Sequence, residues 1–139
     1  MLRIVLDSNI ILAAALPKSK YRKVISDFLN EKYALLISPE IVFEYEEKLV
    51  EIFNRETADH FLQSLFNSDN LIKISPFFDF RLIKHDADDD KFANCAIVGN
   101  AHYIVSNDKH FNILKSITFP KLNVINIDEF IEILNQTQK

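Results

Sequence analysis

Glycine is nearly missing from this sequence: Gly99 is the only one in 139 residues, where an average chain of that length carries about ten. A Walker loop or a G-x-G-x-x-G turn cannot be built from one glycine, which excludes a Gly-rich loop cradling nucleotide phosphates. Cysteine is as scarce. The lone Cys95 excludes internal disulfides and a cysteine-based zinc site, and suits a reducing compartment. No apolar run approaches ~18 residues, so no membrane span is expected. No cationic stretch precedes the first apolar run, so no signal peptide is expected either. A dominant charge sign is also lacking. Lys and Arg number 16 against 20 Asp and Glu, a net charge of −4, without the broad basic surface of a tight duplex-DNA binder. A cytoplasmic protein is the expectation.

What the chain does hold is apolar bulk: 48% hydrophobic residues, with 12 Phe, too much for disorder. No linker, repeat or low-complexity tract divides it, so one domain over 1–139 is expected. Arg3–Leu6 reads as a buried strand, and Ser8 or Asn9 as the cap of a short helix, Ile10–Leu16, stopped by Pro17. Tyr21–Asn30 carries Val24, Ile25, Phe28 and Leu29 at helical spacing, and Ala34–Ile37 is a second strand. Ser38-Pro39-Glu40 joins an N-cap, a first-turn proline and a first-turn acid. The helix it opens sets Ile41, Val42, Tyr45 and Leu49 on one face. Thr57–Phe66 predicts an amphipathic helix with Phe61, Leu62, Leu65 and Phe66 inward. Leu71–Ser75, Tyr103–Val105 and Leu122–Ile125 read as strands. Helices are expected from Asp88 or Asp89 to about Val98, over His110–Leu114 and over Ile127–Leu134. Such alternation is the pattern of an α/β fold, a mostly parallel sheet covered on both faces.

In an open α/β sheet the ligand crevice lies beyond the carboxyl ends of the strands. Asp7 directly follows the first strand, and Asp108 follows Tyr103–Val105 after Ser106-Asn107. Glu44, in the second turn of the Ser38 helix, and Asp90, in the first turn of the helix carrying Ala93 and Ala96, are placed to reach the same rim. Carboxylates gathered there repel one another unless a cation neutralises them. All-oxygen ligation suits Mg²⁺ or Mn²⁺, which can polarise a phosphodiester and generate hydroxide from water.

Each acid has a structural account as well. Asp7 is positioned to cap the next helix. Glu44 shares an acidic helix with Glu40, Glu46 and Glu47, and both Glu44 and Glu46 flank the apolar stripe. Asp86, Asp88, Asp89 and Asp90 are more acids than capping needs. Asp108 ends a Ser-Asn-Asp sequence of turn chemistry. His60, His85, His102 and His110 lack metal-ligand spacing. Ser8, Ser38 and Ser106 lack a G-x-S-x-G context. Cys95 reads as a small buried hydrophobe. Lys18, Lys20, Arg22 and Lys23 form the dense basic cluster, either a contact for a nucleic-acid backbone or a solvated helix entry. Phe43, opposite its helix's apolar stripe, is expected to be exposed.

Four segments together resemble the PIN domain family, metal-dependent ribonucleases that include VapC-type toxins. Val5-Leu6-Asp7-Ser8-Asn9 looks like the first motif, and Ser38-Pro39-Glu40-Ile41-Val42-Phe43-Glu44-Tyr45 like the second. Asp88-Asp89-Asp90-Lys91-Phe92-Ala93-Asn94-Cys95-Ala96 looks like the third, and Ile104-Val105-Ser106-Asn107-Asp108 like the fourth. The resemblance runs from Arg3 to about Phe130. It implies a three-layer α/β/α domain with about five strands and an acidic pocket for Mg²⁺ or Mn²⁺. On that basis Asp7, Glu44, Asp90 and Asp108 hold the metal, while Asn9 and Ser106 orient carboxylates or water. Asp89 and Asp86 are alternates to Asp90 within the run. The implied activity is hydrolysis of single-stranded RNA, with an antitoxin and a second copy of the chain as partners. The alternative is a binding module whose acidic rim holds a basic partner without turnover. A phosphoryl-transfer fold using Asp7 as nucleophile is disfavoured, because Asn9 stands where haloacid-dehalogenase-like enzymes carry a second Asp.

Overall fold

The computed structural model describes residues 1–75, 87–117 and 121–136, the side chains of 87–89 excepted. Five short strands, β1 (Arg3–Leu6), β2 (Ala34–Ile37), β3 (Leu71–Lys73), β4 (Tyr103–Val105) and β5 (Val124–Ile125), form one all-parallel sheet in the order β3-β2-β1-β4-β5. The central runs are apolar without alternation because helices cover both faces; Ile4, Val5, Leu35 and Leu36 are all buried. The chain starts at the centre of the sheet, builds outward to β3, then returns to the other side of β1. That reversal makes the β1–β4 boundary a topological switch point, where a crevice opens beyond the carboxyl ends. The register pairs Leu6 with Val105, which places the next residues, Asp7 and Ser106, at one rim.

The helices are α1 (Ser8–Ala15), α2 (Arg22–Leu29), α3 (Pro39–Ile52), α4 (Arg55–Phe66), α5 (Ala87–Val98) and α6 (Ile127–Gln136), with a 3₁₀ helix over Lys109–Ser116. The start of α3 is as its sequence predicts: the Ser38 side chain accepts from the Ile41 amide, Pro39 opens the first turn and Glu40 follows. The start of α1 is not. Asp7 occupies the cap position, so neither Ser8 nor Asn9 caps the helix. In α4 the start comes earlier than expected because Asn54 accepts from the Thr57 amide at 2.7 Å. Phe66, expected inward, closes α4 with 44% of its surface exposed, and the Lys73 ammonium lies over its ring. The apolar runs at Leu71 and Leu122 yield shorter strands than predicted. β3 and β5 are the sheet edges, where short strands limit pairing with other chains. Phe43 is 69% exposed, as expected from its place on α3. Among the described residues no helix is long and apolar enough to cross a membrane.

α5 packs its Phe92, Ala93, Cys95 and Ala96 into the core, against β1, β2 and β4. Burial pushes the Cys95 thiol up to about 12, which leaves it protonated and unreactive at neutral pH. The single glycine follows this helix, and close packing explains it. A Cβ at Gly99 would stand 2.7 Å from Leu36 Cδ1 and 3.0 Å from the Cys95 carbonyl oxygen. That carbonyl already accepts the Gly99 amide at 2.9 Å, so it cannot retreat without opening the helix end. Gly99→Ala is therefore expected to cost about 1–3 kcal/mol. Urea unfolding should show the loss as a lower midpoint at unchanged slope.

Candidate active site

Asp7 is held by its backbone and left free of helix-capping duty by its side chain. Its amide donates to the Val105 carbonyl at 3.0 Å, and its own carbonyl accepts from the amides of Ile10 and Ile11 at 2.9 and 3.3 Å. An N-cap carboxylate ordinarily accepts from an amide of the first turn. Here the side chain makes no such bond, and instead Ser106 Oγ donates to Asp7 Oδ2 at 2.8 Å. Asp7 is thus the N-cap residue by its backbone, while its side chain takes no part in the cap. The residue is only 4% exposed. Burial raises its pKa above the ordinary 3.8, the Ser106 hydrogen bond lowers it in part, and the charges of Glu44 and Asp108 raise it further. Lys48 acts in the opposite sense.

Glu44 reaches the same rim from α3. Ser8 Oγ donates to its Oε2, and the Lys91 ammonium from α5 lies 2.9 Å from its Oε1. Glu46, equal to Glu44 on helical spacing, turns away to Arg55 at 3.4 Å. Tyr45, the next residue, sends its hydroxyl to the Leu6 carbonyl, tying α3 to the end of β1. Ser106 is buried, and its Oγ also accepts from the Asp108 amide at 3.0 Å. Asp108 Oδ1 accepts from the His110 amide at 2.9 Å, opening the 3₁₀ helix, with His110 Nδ1 at 3.6 Å. Asn107 Oδ1 accepts from the Ile127 amide at the start of α6. Asp90, 8% exposed, lies in the first turn of α5 beside Lys91. Asn9 is exposed at the start of α1. Asp86 and the side chain of Asp89, the two alternates, lie outside the described residues, as do the Asp88 side chain and His85.

Oxygen donors of one charge, on a buried carboxylate whose ionisation burial opposes, fit a hard divalent cation. As placed, no three His, Cys, Asp or Glu among the described residues already surround one point. Glu44 instead engages Lys91 and Ser8, and Asp108 the His110 amide. The sequence profile of the PIN domain matches residues 3–110. The chain belongs to the PIN domain family. This is the family its four motifs resemble, a family of nucleases. The fold is similar to that in the crystal structure of VapBC2 from Rickettsia felis bound to a DNA fragment from their promoter. The TM-score is 0.62 and the identity 22%, over 90% of this chain and 98% of that one. No curated protein matches the chain in sequence.

The basic cluster of this PIN domain stands apart from its carboxylates. Lys18, Lys20, Arg22 and Lys23 lie where α1 ends and α2 begins, about 12 Å of helix from Asp7. Lys23 pairs with Asp27 at 2.9 Å, and the Lys20 ammonium lies over the Tyr21 ring. Lys109 and Lys115 are nearer, lining a polar cleft with Asp108, Asn112 and Glu129. Sequence reasoning missed both, and it missed Lys91 and Lys48. The available signals were adjacency to Asp90 for Lys91 and a four-residue step from Glu44 for Lys48.

Proposed function

We propose that this PIN domain is a metal-dependent endoribonuclease, hydrolysing phosphodiester bonds of single-stranded RNA as the toxin of a toxin–antitoxin pair. The observation that carries the reading is Asp7, a buried carboxylate at the switch point, excused from capping and facing the charges of Glu44 and Asp108. Asp7, Glu44, Asp90 and Asp108 would hold Mg²⁺ or Mn²⁺. The ion, when bound, activates water and offsets charge on the phosphate. The chain's own groups do the positioning. Ser106 holds Asp7 through Oδ2 and also fixes the Asp108 amide. Ser8 fixes Glu44 from the first residue of α1. Asn9, exposed beside it, would orient carboxylates or water. Lys109 and Lys115 offer the phosphate backbone positive charge beside Asp108, and the Lys18–Lys23 cluster offers a second, more distant contact.

Likeness in fold to VapBC2 supports an antitoxin as protein partner. A homodimer, a cytoplasmic setting and a single domain over 1–139 complete the reading. The test is cleavage of a single-stranded RNA by the purified chain. Cutting is expected with Mg²⁺ or Mn²⁺, to stop with EDTA, and to return when Mn²⁺ is restored. Cutting that persists in EDTA overturns metal dependence. No cutting, together with tight capture of a basic peptide, would favour the binding module, a reading supported by the ammonium already seated on Glu44.

A further inference from the structure

We infer that Lys91 is an internal counter-ion of the acidic pocket, seated on Glu44 when the pocket is metal-free and displaced from it when a divalent cation enters. The inference rests on the metal-binding reading above and deepens it. Lys91 and Glu44 come from different helices, α5 and α3, so their 2.9 Å contact is a product of the fold rather than of helical spacing. The Lys91 side chain is only 10% exposed, and its ammonium lies 5.5 Å from the Phe92 ring. An ammonium so covered has little water to return to and stays with the carboxylate. Glu44 has both oxygens engaged, one by Lys91 and the other by the Ser8 hydroxyl. Each oxygen keeps a further lone pair for a cation, but a divalent ion bound there would stand beside the Lys91 ammonium. Exchange of Lys91 for a divalent ion relieves the repulsion between like charges that would otherwise share the carboxylate.

Lys91 therefore acts through Glu44, as a positioning residue that weakens and tunes metal binding. Calorimetric titration of the purified chain with Mn²⁺ tests this without reference to cleavage. Lys91→Met keeps an unbranched apolar side chain of similar length and removes the charge. Its Mn²⁺ affinity is expected to rise about tenfold. Lys91→Arg, which keeps the charge, should bind Mn²⁺ like the parent. In the absence of metal, Lys91→Met should unfold at a lower temperature than the parent, and saturating Mn²⁺ should narrow that gap. An Mn²⁺ affinity in Lys91→Met that is unchanged or weaker, with the parent binding normally, overturns the counter-ion role and leaves the nuclease reading intact. Failure of the parent and both variants to bind Mn²⁺ overturns the metal-binding reading and this inference together.

Discussion

Asp7→Asn is expected to cut RNA about 10³-fold more slowly than the parent, yet to unfold at a higher temperature. Both effects have one cause. The parent carboxylate is buried, receives one side-chain hydrogen bond from Ser106, and faces the charges of Glu44 and Asp108. Asn keeps an oxygen that can accept from Ser106 but carries no charge with which to hold a cation. The charge proposed to serve the chemistry burdens the fold, as is common where active sites trade stability for function. The sign follows from linkage. The folded-state pKa of Asp7 lies above the ordinary 3.8, so between those two values the native state keeps a proton that the unfolded chain has released. Stability therefore falls as pH rises through that window, and the deficit persists above it. The Asn variant escapes this. Its advantage is expected to be present at neutral pH and to disappear below 3.8. Saturating Mn²⁺ should narrow the gap by stabilising the parent. Thermal unfolding across pH, run beside the cleavage assay, checks both halves. A variant that cuts normally, or that is less stable than the parent at pH 7, contradicts the argument.

The features legible in the sequence are those fixed by neighbours along the chain. β1, β2 and β4 stand where their apolar runs predict, and Ser38-Pro39-Glu40 opens α3 because cap, proline and acid act within one turn. Asp7 and Asp108 are found at strand ends for the same reason: a strand's end is a local fact, and the crevice lies there in any parallel sheet. Decisions made between elements were not legible. Helical spacing left Glu44 and Glu46 equivalent; Lys91 from α5 and Arg55 from α4 separate them. Capping rules made Asp7 a candidate N-cap side chain, but Ser106, brought alongside by the β1–β4 pairing, claims its carboxylate. Phe66 satisfied the helical stripe, yet its place at the end of α4 carries it out of the core. The basic cluster was conspicuous in sequence, while the lysines nearer the carboxylates were scattered along the chain and joined only by the fold.

Tyr45→Ala is expected to cost about 3–5 kcal/mol, the usual range for deleting a buried aromatic ring. That is a large share of the roughly 5–15 kcal/mol that stabilises a domain. Tyr45 is fully covered, and its hydroxyl donates to the Leu6 carbonyl. Burial raises the phenol's pKa well above its ordinary value, so it remains a donor across the working pH range. The bond joins two residues that are each next to a proposed site carboxylate, Leu6 before Asp7 and Tyr45 after Glu44. Tyr45 is thus a strut that sets the distance from α3 to the end of β1. Tyr45→Phe separates the strut from the packing. It keeps the ring and should cost only about 1 kcal/mol, the net worth of one hydrogen bond. Its cleavage rate should nevertheless fall by about tenfold, because small errors in carboxylate placement are costly to the chemistry. Urea unfolding and single-turnover cleavage of both variants give the comparison. If Tyr45→Phe cuts as fast as the parent, the hydroxyl serves the fold alone. If Tyr45→Ala loses less than about 1 kcal/mol, the ring is not the packing element that its burial makes it.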